Sequence, residues 1–167
     1  MKPIFDLERY ASLARQAAAE GAVLLRNEQN TLPLQPGSRV ALFGRAQFHY
    51  YKSGTGSGGL VNTDHVTGIW EALSGPGGYK CDAEVRAVYD RWVADHPCEM
   101  GNGWAQEPWF QPEMPLEQEL VQQAAQRNDA AVILIGRTAG EDQDNADAPG
   151  SCRLTDEERK MLQLVCS

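Results

Sequence analysis

The 167-residue chain is 42% hydrophobic and 23% charged, with a net charge of -8. That balance fits a single globular domain with a buried core and excludes a disordered chain. The acidic excess argues against a counterion-displacing grip on nucleic acid and against binding to an anionic membrane surface.

The first ten residues, "MKPIFDLERY", lack the apolar stretch of a secretory signal, and no later run approaches membrane-spanning length. Cys81, Cys98, Cys152 and Cys166 form no C-x-x-C pair and have no His at ligand spacing. They read as reduced structural thiols of a cytoplasmic protein, and no metal site follows from them.

In chain order, Asp6 caps a helix through about Glu20, with Leu7, Tyr10, Ala14, Ala17 and Ala18 on one face and Gly21 as its stop. "AVLLRN" reads as a short extended segment, followed by a turn at "NEQN". "RVALFG" (39–44) is a buried strand, and a long loop rich in Tyr, Gly and Ser follows. Thr63 or Asp64 caps a helix over roughly 64–73 that "SGPGG" terminates. A second helix covers about 82–95, with Val85, Val88, Tyr89 and Trp92 in one stripe. Residues 96–115 make a long, Pro- and aromatic-rich loop of the kind that is usually functional. "LEQELVQQAAQRN" is a helix and "DAAVILIG" a second buried strand. "TDEERKMLQLVC" is a helix opened by Thr155, with Glu158 at the capping-box position. The order helix, strand, helix, helix, strand, helix predicts an α/β domain with a parallel sheet. With two core strands, such a sheet leaves surface uncovered, so the chain is expected to be cut short and to self-associate.

Two short motifs invite chemistry. Gly54, Gly56 and Gly59 fit G-x-G-x-x-G, but nine residues separate them from the strand, so a dinucleotide site is not expected. Instead, bare backbone there lets a polar ligand approach closely, or the loop is simply surface. "GEDQDNAD" fails as a calcium loop, because Ala146, Asp147 and Arg153 occupy the third-ligand, glycine and bidentate-glutamate places. A solvated acidic turn competes with a site, since loops at the C-terminal ends of parallel strands carry binding and catalytic groups. Glu141 among other acids is expected to have a raised pKa, as a general acid requires.

The segments "EGAVLLRNEQNTLPL", "RVALFGRAQFHYYKSGTGSGGLVN" and "DAAVILIGRTAGEDQDN…GSCRLTDEE" together resemble the glycoside hydrolase family 3 C-terminal domain. The likeness runs in order over nearly the whole chain. "NGWAQEPWFQPEMPL" looks like a loop of the β-glucosidases in which this domain precedes the barrel. The resemblance implies a three-layer α/β sandwich with a mainly parallel sheet, incomplete at the C-terminus. Residues 1–38 would form a lead-in and 39–167 the partial sandwich. The partner implied is a (β/α)8 barrel, outside this chain, that holds the nucleophilic Asp of a retaining glycosidase.

"GRTAGEDQD" matches the family's S-R-x-x-G-E-x-x-D, which makes Glu141 the implied acid/base. Arg137 and Asp144 would hold the loop or touch the sugar, and Gly56, Ser57 and Gly58 would contribute sugar contacts. Trp104, Trp109 and Phe110 read first as packing under a long loop, with sugar stacking as the alternative. The implied substrate is a carbohydrate, and no cofactor enters. The alternative function is a non-catalytic, truncated module that binds sugar or a partner.

Overall fold

The computed structural model describes residues 6–48, 56–57, 62, 66–138, 141 and 144–167. The chain divides into two compact units, Met1–Leu34 and Gln35–Ser167.

In the first unit, helix α1 (Leu7–Glu20) starts where the Asp6 side chain accepts the Arg9 N–H at 3.0 Å. This satisfies one of the donors a helix N-terminus leaves free. None of its residues is buried. Beyond Gly21 the chain is irregular. Asn27 exchanges two hydrogen bonds with the backbone of Leu32 and closes a turn in which Gln29 and Asn30 both have positive φ.

The second unit is an α/β sandwich built on a parallel sheet of order β2-β1-β3. Its strands are β1 (Arg39–Phe43), β2 (Lys80–Cys81) and β3 (Ala130–Ile133). In register, Val40 faces Cys81 on one side and Ala130 on the other, and Phe43 faces Ile133. Strand β2 is absent from the sequence expectation. Two residues have no apolar alternation to detect, and only pairing with β1 makes them a strand.

β1 is apolar on both faces because both are covered: Val40, Ala41, Leu42 and Phe43 are all at most 2% exposed. The Ala41/Phe43 face meets helices α3 (Ala83–Asp95), α4 (Gln118–Arg127) and α5 (Asp156–Val165) through Val85, Tyr89, Val121, Ala124 and Met161. Burying a side chain such as Leu42 or Phe43 contributes roughly 1.5–3 kcal/mol. Helix α2 (Ile69–Ser74) lies against β2 and begins five residues later than expected. Its N-cap is Gly68, with no side-chain cap, and the expected caps Thr63 and Asp64 lie outside the described residues.

Caps fix the other helices. Asp82 accepts the N–H groups of Glu84 and Val85 at the start of α3, and Arg127 and Asn128 from the end of α4 also bond it. Burial pushes its carboxyl up, but these hydrogen bonds and the Arg127 charge outweigh burial and leave it below the ordinary range. Thr155 and Glu158 form the capping box of α5.

Candidate functional site

Because β1 and β3 are parallel, the segments leaving them emerge at one edge of the sheet, where open α/β folds place their sites. Glycine keeps the two exits in contact. Gly44, at φ 107°, passes so close to the Leu134 carbonyl that any Cβ would overlap it. A Cβ on Gly136 would lie 3.0 Å from that of Ala46.

Farther out the segments meet again. The Ser57 N–H and hydroxyl both donate to Glu141 Oε2, at 2.9 and 2.6 Å. Gly56, with φ 67°, leaves no room for a side chain, since a Cβ would sit 2.7 Å from that of Glu141. Gly56, Ser57 and Glu141 therefore form one cluster at the sheet edge. Gly58, the other loop residue of interest, lies outside the described residues, as do Gly54, Gly59 and Gly140.

The expectation of a raised Glu141 pKa is corrected. Its carboxyl is exposed, and the Ser57 hydroxyl and then the Ser57 N–H hold it below the ordinary glutamate value. Two donors on one carboxylate oxygen favour the charged form, and burial is too slight to oppose them.

The segment carrying Glu141 is fastened at both ends. Arg137 donates Nη1 and Nη2 to the two carboxylate oxygens of Glu158, each at 2.6 Å. It also reaches the carbonyls of Gly136, Ser151 and Arg153. Arg137 thus joins the segment after β3 to the first turn of α5, through Glu158, and to the return segment before it. Burial pushes the Glu158 carboxyl up, yet the Arg137 hydrogen bonds and the capping-box contacts hold it below its ordinary value. Asp147 pairs with Arg153 at 3.1 Å, and Asp144 is exposed. Among the described acids of "GEDQDNAD", Glu141 and Asp147 therefore do not share one set of partners. Glu141 turns to Ser57 and Asp147 to Arg153.

The aromatic loop supports this segment. Thr138 donates its N–H to the Trp109 carbonyl at 2.8 Å and its hydroxyl to the Pro108 carbonyl at 2.6 Å. The Phe110 ring lies against Gly150, whose φ is 83° and where a Cβ would overlap the ring; the Arg137 guanidinium stands 5.9 Å from the ring centroid. Trp104 is 52% exposed.

A buried polar group that sequence reasoning missed lies behind the exits. Glu113 accepts the N–H groups of Arg45 and Met114, both at 2.8 Å, and the Tyr89 hydroxyl at 3.4 Å. The Tyr89 oxygen in turn accepts the Gly44 N–H. Burial pushes the Glu113 carboxyl up to about 7, against the pull of those three donors. Glu113 and Glu158 both line a cavity of about 30 Å³ with Arg45, Ala46, Phe48, Gln111 and Gly136. That is room for about one water. The only sequence hint was an acid between two prolines in "QPEMP".

Residues 22–167 match the model of the glycosyl hydrolase family 3 C-terminal domain. The chain belongs to that family. It is 49% identical over 160 residues to a beta-glucosidase of Ruminococcus albus, covering 96% of this chain and 17% of the relative. It superposes on the beta-glucosidase of Paenibacillus barengoltzii with a TM-score of 0.91 at 48% identity, covering 96% of this chain and 17% of that one. It also superposes on beta-glucosidase 3B of Thermotoga neapolitana, solved in complex with α-D-glucose, with a TM-score of 0.80 at 32% identity, covering 96% and 22%. The chain thus spans about a fifth or less of the length of these relatives. As a family 3 C-terminal domain it has no described helix long and apolar enough to cross a membrane.

Proposed function

We propose that this chain supplies the acid/base carboxylate and part of the sugar pocket of a retaining, β-glucosidase-type glycoside hydrolase whose nucleophile is carried by a (β/α)8 barrel. The observation that carries this reading is the Glu141–Ser57 cluster at the sheet edge, in a domain of this family. Retaining hydrolysis needs two carboxyls about 5–5.5 Å apart. Glu141 is one of them and the barrel Asp the other. Protonated, Glu141 donates to the leaving glycosidic oxygen as the barrel carboxylate bonds to the anomeric carbon. Glu141, left as a carboxylate by that transfer, then takes a proton from the water that cleaves the glycosyl ester.

Gly56, Ser57 and Gly58 would border the sugar, while Arg137 holds the segment in place and Asp144 stands at its exposed side. The reaction is placed in the cytoplasm, where the four unpaired cysteines stay reduced. Self-association through uncovered surface of the sheet belongs to the same reading.

The test joins the chain to a family 3 barrel and compares Glu141→Gln with wild type on an aryl glucoside. Deglycosylation should slow by about 10²- to 10⁴-fold, the usual contribution of a general acid or base. Added azide, which needs no base, should restore turnover as a glycosyl azide. An unchanged rate would remove Glu141 from the chemistry.

A further inference from the structure

We infer that Ser57 is a positioning residue that holds the Glu141 side chain in one orientation, as a carboxylate, through two donors converging on a single oxygen. The inference rests on the proposed role of Glu141 but concerns a separate property, the state in which that group waits.

Three observations meet at this contact. Backbone and side chain of the same residue bond Oε2, at 2.9 and 2.6 Å, which leaves Oε1 outside the pair. Gly56 leaves no room beside the Glu141 Cβ and Oε2, which lie 2.7 and 2.9 Å from an added Cβ, so the Glu141 side chain packs where only a glycine fits. The segments that carry the two residues are rooted together at Gly44 and Leu134 and at Ala46 and Gly136, so the partners arrive 84 positions apart in sequence yet in contact. A hydroxyl that donates to a carboxylate oxygen favours the ionised group. Ser57 thereby keeps Glu141 ready to accept a proton. To carry a proton on Oε2, Glu141 must give up the Ser57 donors or reverse the direction of the hydroxyl bond. Serine can do the latter, because its hydroxyl also accepts.

The experiment is a pH titration of this chain with ¹³C-labelled glutamate carboxyls, assigning the Glu141 resonance by its loss in Glu141→Gln. In wild type its midpoint should lie below that of an ordinary glutamate. In Ser57→Ala it should move up toward the ordinary value, and in Ser57→Thr, which keeps the hydroxyl, it should stay near wild type. Resonances of the remaining glutamates report that the fold is kept, and Ser57→Gly repeats the removal if the alanine variant does not fold. Equal midpoints in wild type and the hydroxyl-free variants would overturn the inference, as would a threonine variant that titrates like alanine. Because no substrate takes part, this result stands apart from the azide-rescue test. Glu141 could fail as acid/base while Ser57 still lowers its midpoint.

Discussion

Replacing Arg137 by Met keeps most of the stem's length and removes the guanidinium. Five hydrogen bonds go with it, including both bonds to Glu158 at 2.6 Å. The side chains of Arg137 and Glu158 are 22% and 5% exposed, so an almost fully buried carboxylate loses its counterion. Removing one partner of a buried pair costs about 3–5 kcal/mol. Glu158 can escape part of that by taking a proton. From an ordinary pKa of about 4.3, holding that proton at pH 7 costs roughly 4 kcal/mol at 1.36 kcal/mol per unit, which sets the ceiling. Because Arg137 is partly exposed, the loss expected at pH 7 is about 3 kcal/mol.

The loss shrinks as pH falls. In wild type the Glu158 pKa is depressed, so its contribution is complete above the ordinary glutamate range and fades as pH falls through the folded value. In the variant only burial and the capping box remain, and proton uptake is nearly free at pH 4.5. The difference between the proteins should then shrink to about 1–2 kcal/mol, the worth of the lost carbonyl contacts. Urea denaturation at both pH values measures this, with Arg137→Lys as the variant that keeps the charge and loses the fork. A loss below about 0.5 kcal/mol at pH 7, or the same loss at both pH values, would refute the counterion account.

Gly150→Ala should cost about 2 kcal/mol or more, because it combines a positive φ with overlap of the Phe110 ring; a thermal melt at wild-type temperature would count against that packing. Thr155→Ala removes half of the α5 capping box and should cost about 0.5–2 kcal/mol in the same urea assay, whereas Thr155→Ser should cost much less. Glu113 binds its proton more tightly in the folded chain than in the unfolded one, so its burial favours folding least at high pH. The melting temperature should therefore fall as pH rises from about 5 through 7 to 8, and Glu113→Gln should flatten that fall. An identical slope in the variant would assign the titration elsewhere.

Local chemistry was readable where it is self-contained. Asp6 and Thr155 cap their helices as the residues alone suggest, since a cap needs only its own next turn. The apolar runs at 39–44 and 129–136 became β1 and β3, though β3 keeps only four residues because the rest turns away to carry the site. Strand β2 and the late start of α2 were not readable, because both depend on where β1 lies. The Glu141 charge state failed for the same reason. Its acidic neighbours in sequence suggested repulsion, whereas its neighbour in space is a serine 84 positions away. Tyr89 was read only as one member of an apolar stripe. Its hydroxyl serves Gly44 and Glu113, contacts that exist only once α3 packs on the sheet.

Asp82 has a wider consequence. One carboxylate bonds the opening turn of α3 and the closing residues of α4, and its own N–H donates to the Val40 carbonyl. Fraying at either helix terminus therefore strands donors belonging to the other, so the two ends open as one cooperative step. The backbone beside them, including the centre of the sheet, inherits that shared protection.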